Sequence, residues 1–237
     1  MELEVDSGAS AITKVINAAS HSEEAACSSG AIGRLEGRWL SEESAASDTS
    51  GSSLRLSGTA VTVNGDAVPI LYASATRVDF LCPASVPGSQ LEIVVETARG
   101  RSPAVQTTVR ELSPGIFSID DSGAGQGVAL HDDGSRLVMV RNYRYAAQPA
   151  QPGDVITLYA TGMEGVSKAS VRIGNTEVDA NVLDRVPGLP GLWFLSFTIP
   201  QGGEIGNAVG LSIGGQMSNG VSVPSNQIRI AIEAPYR

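Results

Sequence analysis

Apolar and polar side chains alternate along most of this chain, and a period of two admits little besides β-strand. In LEIVVET, Leu91, Ile93 and Val95 share one parity while Glu92 and Glu96 share the other. In QIRIAIEA, Ile228, Ile230 and Ile232 face one way, and Gln227, Arg229 and Glu233 face the other. Successive side chains of a strand point to opposite faces, so each stretch reads as a strand with one face in a core. Asn64-Gly65 after VTV is a strong hairpin signal, because both residues tolerate positive φ. HDDGSR, between GVAL and LVMV, predicts a second hairpin. SHSEEAACSS has room for a helical turn or two at most. The 27 glycines and 12 prolines punctuate many short segments, and the fold class predicted is all-β.

The strand pattern occurs twice. VTVNG at Val61 is echoed by VRIGN at Val171, an offset of 171 − 61 = 110. VDFLCP at Val78 is echoed by LSFTIP at Leu195, an offset of 195 − 78 = 117. RSPAV around Ser102 is echoed by MSNGV around Ser218, an offset of 218 − 102 = 116. Order is kept and the offsets drift by loop-sized amounts, which predicts two sandwich domains, at residues 10–112 and 113–237. The seam falls near ELSPGIF, where Pro114 and Gly115 interrupt the strand pattern. The serine-rich SEESAASDTSGSS lies inside the first copy and reads as a loop rather than a linker.

A net charge of −9 argues against nucleic acid or an anionic membrane as partner, since phosphate binding needs a basic face. No stretch approaches the roughly 20 apolar residues that span a bilayer. The start, MELEVDSGAS, lacks the basic and apolar regions of a signal peptide, so if the native protein is exported this chain is expected to be an excised piece of it.

Candidate chemistry is weak. GLSIG, Gly210 to Gly214, matches the G-x-S-x-G of serine hydrolases, but that motif needs a sharp strand-to-helix turn at Ser212. Here Leu211 and Ile213 continue a strand, and His21 and His131 both precede the serine. No catalytic residues are assigned, and no cofactor. Asp120, Asp121, Asp132 and Asp133 cluster in sequence and are calcium candidates, against the plainer reading that aspartates favour turns. Lys14 and Lys168 are the only possible isopeptide donors, and neither stands beside a compelling acid. Trp193 leads an apolar strand and reads as packing. RNYRY crowds Arg141, Tyr143, Arg144 and Tyr145 together, a composition suited to a protein or polysaccharide surface.

The order VINAAS, VTVNGDAVPILYAS, RVDFLCP, LSPGIF, GQGVALHDDGS, PGDVITLYATGM and SFTIP resembles the Solibacter-type C-terminal domain family. The resemblance runs from about Ile12 to Ile232. It implies tandem immunoglobulin-like β-sandwiches at the ends of large secreted or surface proteins of soil bacteria, and it supplies no catalytic residues to carry over. The function expected is a non-catalytic extracellular structural, adhesion or presentation module. Its rivals are a carbohydrate-binding accessory module and a filament subunit that assembles by strand donation.

Export bears on the two cysteines. Val78, Phe80 and Cys82 share parity, so Cys82 faces the core with Phe80 and is poorly placed as a nucleophile. It is then either a small hydrophobe or a partner for Cys27. The oxidising compartment that the resemblance implies favours a Cys27–Cys82 disulfide.

Overall fold

The computed structural model describes residues 8–48, 50–142 and 144–235, and among them there is no helix. The chain forms two compact units. Their division along the sequence falls between Glu111 and Leu112, except that Ala19–His21 groups with the later unit and Pro187–Pro190 with the earlier one.

The first unit holds β1 (Ala11–Asn17), β2 (Cys27–Ser28), β3 (Ile32–Arg38), β4 (Ala45–Ala46), β5 (Ala60–Val63) and β6 (Asp66–Val68). It continues with β7 (Ile70–Ala73), β8 (Arg77–Leu81), β9 (Gln90–Thr97), β10 (Gly100–Arg101) and β11 (Val105–Arg110). One sheet runs β1-β3-β8-β7-β4 and the other β2-β11-β9-β5-β6, with β10 attached to β9. Inward residues of both sheets, including Leu35, Val78 and Phe80 from one and Val61, Ile93 and Val95 from the other, form a single core. Two sheets sharing one core make a β-sandwich.

The second unit holds β12 (Gly115–Ile116), β13 (Ala129–His131), β14 (Val155–Thr161), β15 (Val166–Ile173) and β16 (Thr176–Asp179). It ends with β17 (Val182–Arg185), β18 (Trp193–Thr198), β19 (Gly206–Met217), β20 (Ser222–Pro224) and β21 (Ile228–Ile232). Its sheets run β12-β14-β18-β17, with β13 on β14, and β16-β15-β19-β20, with β21 on β19. Ile156, Leu158, Leu195 and Phe197 meet Val171, Leu211, Ile213 and Ile230 in the second core. The architecture is all-β, two immunoglobulin-like sandwiches in tandem.

Register shows how closely the units repeat. Val61 pairs with Val95 as Val171 pairs with Ile213, and Leu35 pairs with Val78 as Leu158 pairs with Leu195. The offsets of 110 and 117 read from the sequence are therefore structural equivalences. The third echo is corrected. Ser102 corresponds to Ser225, an offset of 225 − 102 = 123, and not to Ser218. The Val95 amide donates to Ser102 Oγ at 3.0 Å while the Ser102 amide donates to the Val95 carbonyl at 2.9 Å. The Ile213 amide and Ser225 repeat the pair at 3.0 and 2.8 Å. In each unit a hydroxyl satisfies a strand amide where the neighbouring chain turns away, which a backbone ladder alone cannot do. The spacing misled because the turn and edge strand before this serine are longer in the second copy.

The Asn64-Gly65 turn has both residues at positive φ, 53° and 91°. The second predicted hairpin is only half formed. His131 and Arg136 close the turn, but LVMV is not a strand: Leu137 makes single bridges to Leu130 and Ala147, and the chain bends so that Val138 is buried.

Cys27 and Cys82 form a disulfide with Cα atoms 5.8 Å apart, as expected. Cys27 lies on β2, which pairs in parallel with β11, and Cys82 follows β8, so the bond ties one sheet to the other. A Cβ built on Gly33 would fall 2.8 Å from the Phe80 ring and 3.0 Å from Cys82 Sγ, which leaves no room for a side chain there. The equivalent of Cys82 in the second unit, 82 + 117 = 199, is the buried Ile199.

Reduction is expected to lower the melting temperature of the first sandwich and leave the second unmoved. The loop has a sequence separation of 55, and a loop of that size is worth about 4 kcal/mol in the chain-entropy model. Differential scanning calorimetry with and without reductant measures this. Ser102→Ala and Ser225→Ala should each cost about 1–3 kcal/mol in urea melts by orphaning a buried amide. A large cost at one site and none at the other would break the equivalence.

Candidate functional site

The outward face of the sheet containing β15 and β19 carries a recess. Cross-strand register places its side chains in rows. Asp179, Ser170, Gly214 and Pro224 lie side by side across four strands, and Lys168, Gln216 and Ser222 form the next row. Gly214 has no side chain, so it leaves an open floor within the first row. The space, about 210 Å³, is lined by Lys168, Ser170, Glu177, Asp179, Gly214, Gln216 and Ser222.

Its polar groups are partly tied to one another. Lys168 Nζ lies 3.0 Å from Asp179 Oδ1, with the two side chains 60% and 70% exposed. Ser170 Oγ donates to Glu177 Oε1 at 2.7 Å, and an Arg172 guanidinium nitrogen lies 3.0 Å from Glu177 Oε2. Two cations and two carboxylates balance, so the recess is close to neutral. At that exposure the Lys168–Asp179 pair contributes little to stability and is no isopeptide precursor. The sequence reading missed this site, because Lys168, Glu177 and Asp179 converge only through the β15–β16 hairpin.

The residues singled out from the sequence lie elsewhere. Tyr143 is outside the described residues. Arg141 holds Glu233 with two hydrogen bonds, at 2.8 and 2.7 Å. The amides of Arg144 and Tyr145 both donate to Asn142 Oδ1 at 2.9 Å. Tyr145 is 40% exposed. Among the described residues of RNYRY none lies in a strand, and Arg141 is engaged in an ion pair.

Among the described residues no three His, Cys, Asp or Glu side chains gather where they could hold a metal. Asp120 Oδ1 accepts from Ser122 Oγ at 2.8 Å, and Asp133 Oδ1 accepts from the Ser135 amide at 3.0 Å. Those bonds hold both carboxyls below the usual range, chiefly through the Ser122 hydroxyl for Asp120 and the Ser135 amide for Asp133. The aspartates shape their own turns. Ser212 sits mid-strand in β19 opposite Arg172, with strand on both sides, so the sharp turn that exposes a hydrolase serine is not formed there. Trp193 packs against the second core, and Arg185 lies over its ring at 5.3 Å.

One cluster has no counterpart in the sequence reading. Arg34 is 2% exposed and Asp79 6% exposed, directly opposite each other on β3 and β8. Arg34 Nε donates to Asp79 Oδ1 at 2.8 Å, and Arg77 Nε donates to the same carboxylate at 3.0 Å while its guanidinium lies over Tyr72. The available signal was an arginine and an aspartate at matching outward positions of two strands, in IGRLEGR and RVDFL. The register that pairs them is not written in either segment alone.

No protein-family model and no curated protein matches the chain. Among solved structures it is similar to SGBP-B of the Bacteroides ovatus mixed-linkage glucan utilization locus, in complex with a mixed-linkage heptasaccharide. The identity is 14% and the TM-score 0.38, over 89% of this chain and 44% of that one. It is also similar to the I9-I11 tandem of titin, with 11% identity and a TM-score of 0.26 over 88% and 62% of the two chains. Domains 5–6 of the S-layer protein SbsC match with 8% identity and a TM-score of 0.30 over 96% and 99%. The chain spans under half the length of the glucan-locus protein. Likeness at this level says nothing about activity.

Asp79→Ala should cost about 3–5 kcal/mol, because it strands the buried Arg34 charge. Arg34→Met combined with Asp79→Leu should recover most of that loss. Urea melts of the single and double variants decide it, and a single variant no weaker than the double would show that the pair is not coupled.

Proposed function

We propose that this chain is a non-catalytic extracellular structural and adhesion module of a larger bacterial protein, of the kind that the Solibacter-type resemblance implies. The observation that carries the reading is the Cys27–Cys82 bond, buried between the two sheets of the first sandwich. A disulfide built into a core persists where the compartment is oxidising, which means outside the cytosol. The mid-strand setting of Ser212 supports a module without hydrolase chemistry. Surface partners, protein or polysaccharide, suit two sandwiches whose outward sheet faces carry mixed polar side chains. The named proteins it resembles include a glucan-locus protein with a bound heptasaccharide and part of an S-layer protein, which accords with this reading and does not carry it.

Protein exported by a bacterial host should show no free thiol when titrated in denaturant without reductant. Two free thiols per chain would remove the main support for an extracellular setting. Esterase, glycosidase and protease assays should stay at background, and an activity that disappears in Ser212→Ala would overturn the non-catalytic part.

A further inference from the structure

We infer that the recess over Gly214 is a binding site for an uncharged sugar unit of a polysaccharide. The inference deepens the proposed surface role and rests on it.

Gly214 is the first observation. Glycine in a strand interior weakens the strand and often marks a close approach of a ligand or another backbone. The adjacent Gly215 has a packing reason, since a Cβ there would fall 3.0 Å from Val166 Cγ2. Gly214 is not among the residues at positive φ, so the backbone does not demand glycine. Its Cβ would meet only the Ser170 hydroxyl, at 2.9 Å, which is the movable end of a short side chain. What glycine secures at this position is an open floor.

The rim supplies the second observation. Around that floor stand an ammonium (Lys168), two carboxylates (Glu177 and Asp179), a primary amide (Gln216) and two hydroxyls (Ser170 and Ser222). Lys168 and Gln216 donate, the carboxylates accept, and the hydroxyls do either. A sugar ring presents hydroxyls that donate and accept on adjacent carbons, so it can engage such a set from one side. The recess has room for about one ring. Lys168 and Arg172 are balanced by Glu177 and Asp179, and the chain carries −9 overall, so a polyanion gains nothing here. The recess lies on the open face of a sheet, which lets a chain of sugars run past it. Without an aromatic floor, binding rests on hydrogen bonds exchanged with water and falls in the weak, millimolar class.

The test uses the whole chain, labelled with nitrogen-15 and titrated with cellohexaose, mannohexaose and, as the charged control, hexagalacturonate. A neutral hexaose should shift the Gly214 amide, the Gln216 side-chain amide and the Ser222 amide together. Gln216→Ala and Asp179→Asn, both on exposed side chains, should each weaken binding by roughly tenfold, about 1.4 kcal/mol. Gly214→Val should abolish it, with the strand amides otherwise keeping their positions. The inference is overturned if neither neutral hexaose moves these amides, if the shifts gather at Arg144 and Tyr145 instead, or if hexagalacturonate binds as well. These results are separable from the proposed function. A chain with no free thiols that binds no sugar loses the site and keeps its surface role. Release of reducing ends from a bound hexaose would end the non-catalytic reading while leaving the recess occupied.

Discussion

The long strands at the centre of each sheet have one face that must stay dry, and the remaining structure follows from that constraint. Two sheets hide their apolar faces only against each other, so registers are set by which residues must meet inside: Leu35 with Val78, Leu158 with Leu195, Val61 with Val95, Val171 with Ile213. A slip of one residue would turn each of these rows outward. Phe80 and Phe197 occupy equivalent places at the centre of the two cores, both fully buried. The outward rows are thereby fixed as well, although nothing apolar selects them. That is how Lys168, Gln216 and Ser222 come to share a row, and why Arg34 faces Asp79.

The inward half of this arrangement was legible and the outward half was not. Alternation in LEIVVET and QIRIAIEA identifies strands because burial acts on every second residue. The offsets of 110 and 117 survive as equivalences because core positions tolerate few changes in spacing. The serine echo failed where length is free: the turn and edge strand ahead of Ser225 are longer than those ahead of Ser102, and only the shared pattern of hydrogen bonds to Val95 and Ile213 reveals the match. LVMV has the composition of a strand, yet the Gln148 amide donates to the Leu137 carbonyl and breaks the ladder. Such competition between a strand and a passing loop leaves no mark in local sequence.

Cys82 and Ile199 show two chemistries at one structural position. Each follows the strand that carries the central phenylalanine, and each is buried. Ile199 fills its place with a branched side chain. Cys82 is smaller and fills its place by bonding to Cys27 on the opposite sheet, which brings β2 into the core beside β11. The contrast explains why the cross-link occurs once in a repeated architecture. Hydrophobic packing suffices in the second sandwich, whereas the first anchors a strand of two residues that has little apolar surface of its own.

The Arg34–Asp79 and Lys168–Asp179 pairs separate structure from availability. Arg34 and Asp79 have surrendered their hydration, so either one alone would be a heavy cost, and their bonds are committed. Lys168 and Asp179 keep most of theirs, and water already competes for the same donor and acceptor atoms. A ligand at the first pair would have to break an interaction that holds two strands together. At the second it would replace water, and the protein would give up almost nothing. Groups of the second kind, standing over a strand glycine that the backbone does not require, are where a rigid sandwich can bind without deforming its core.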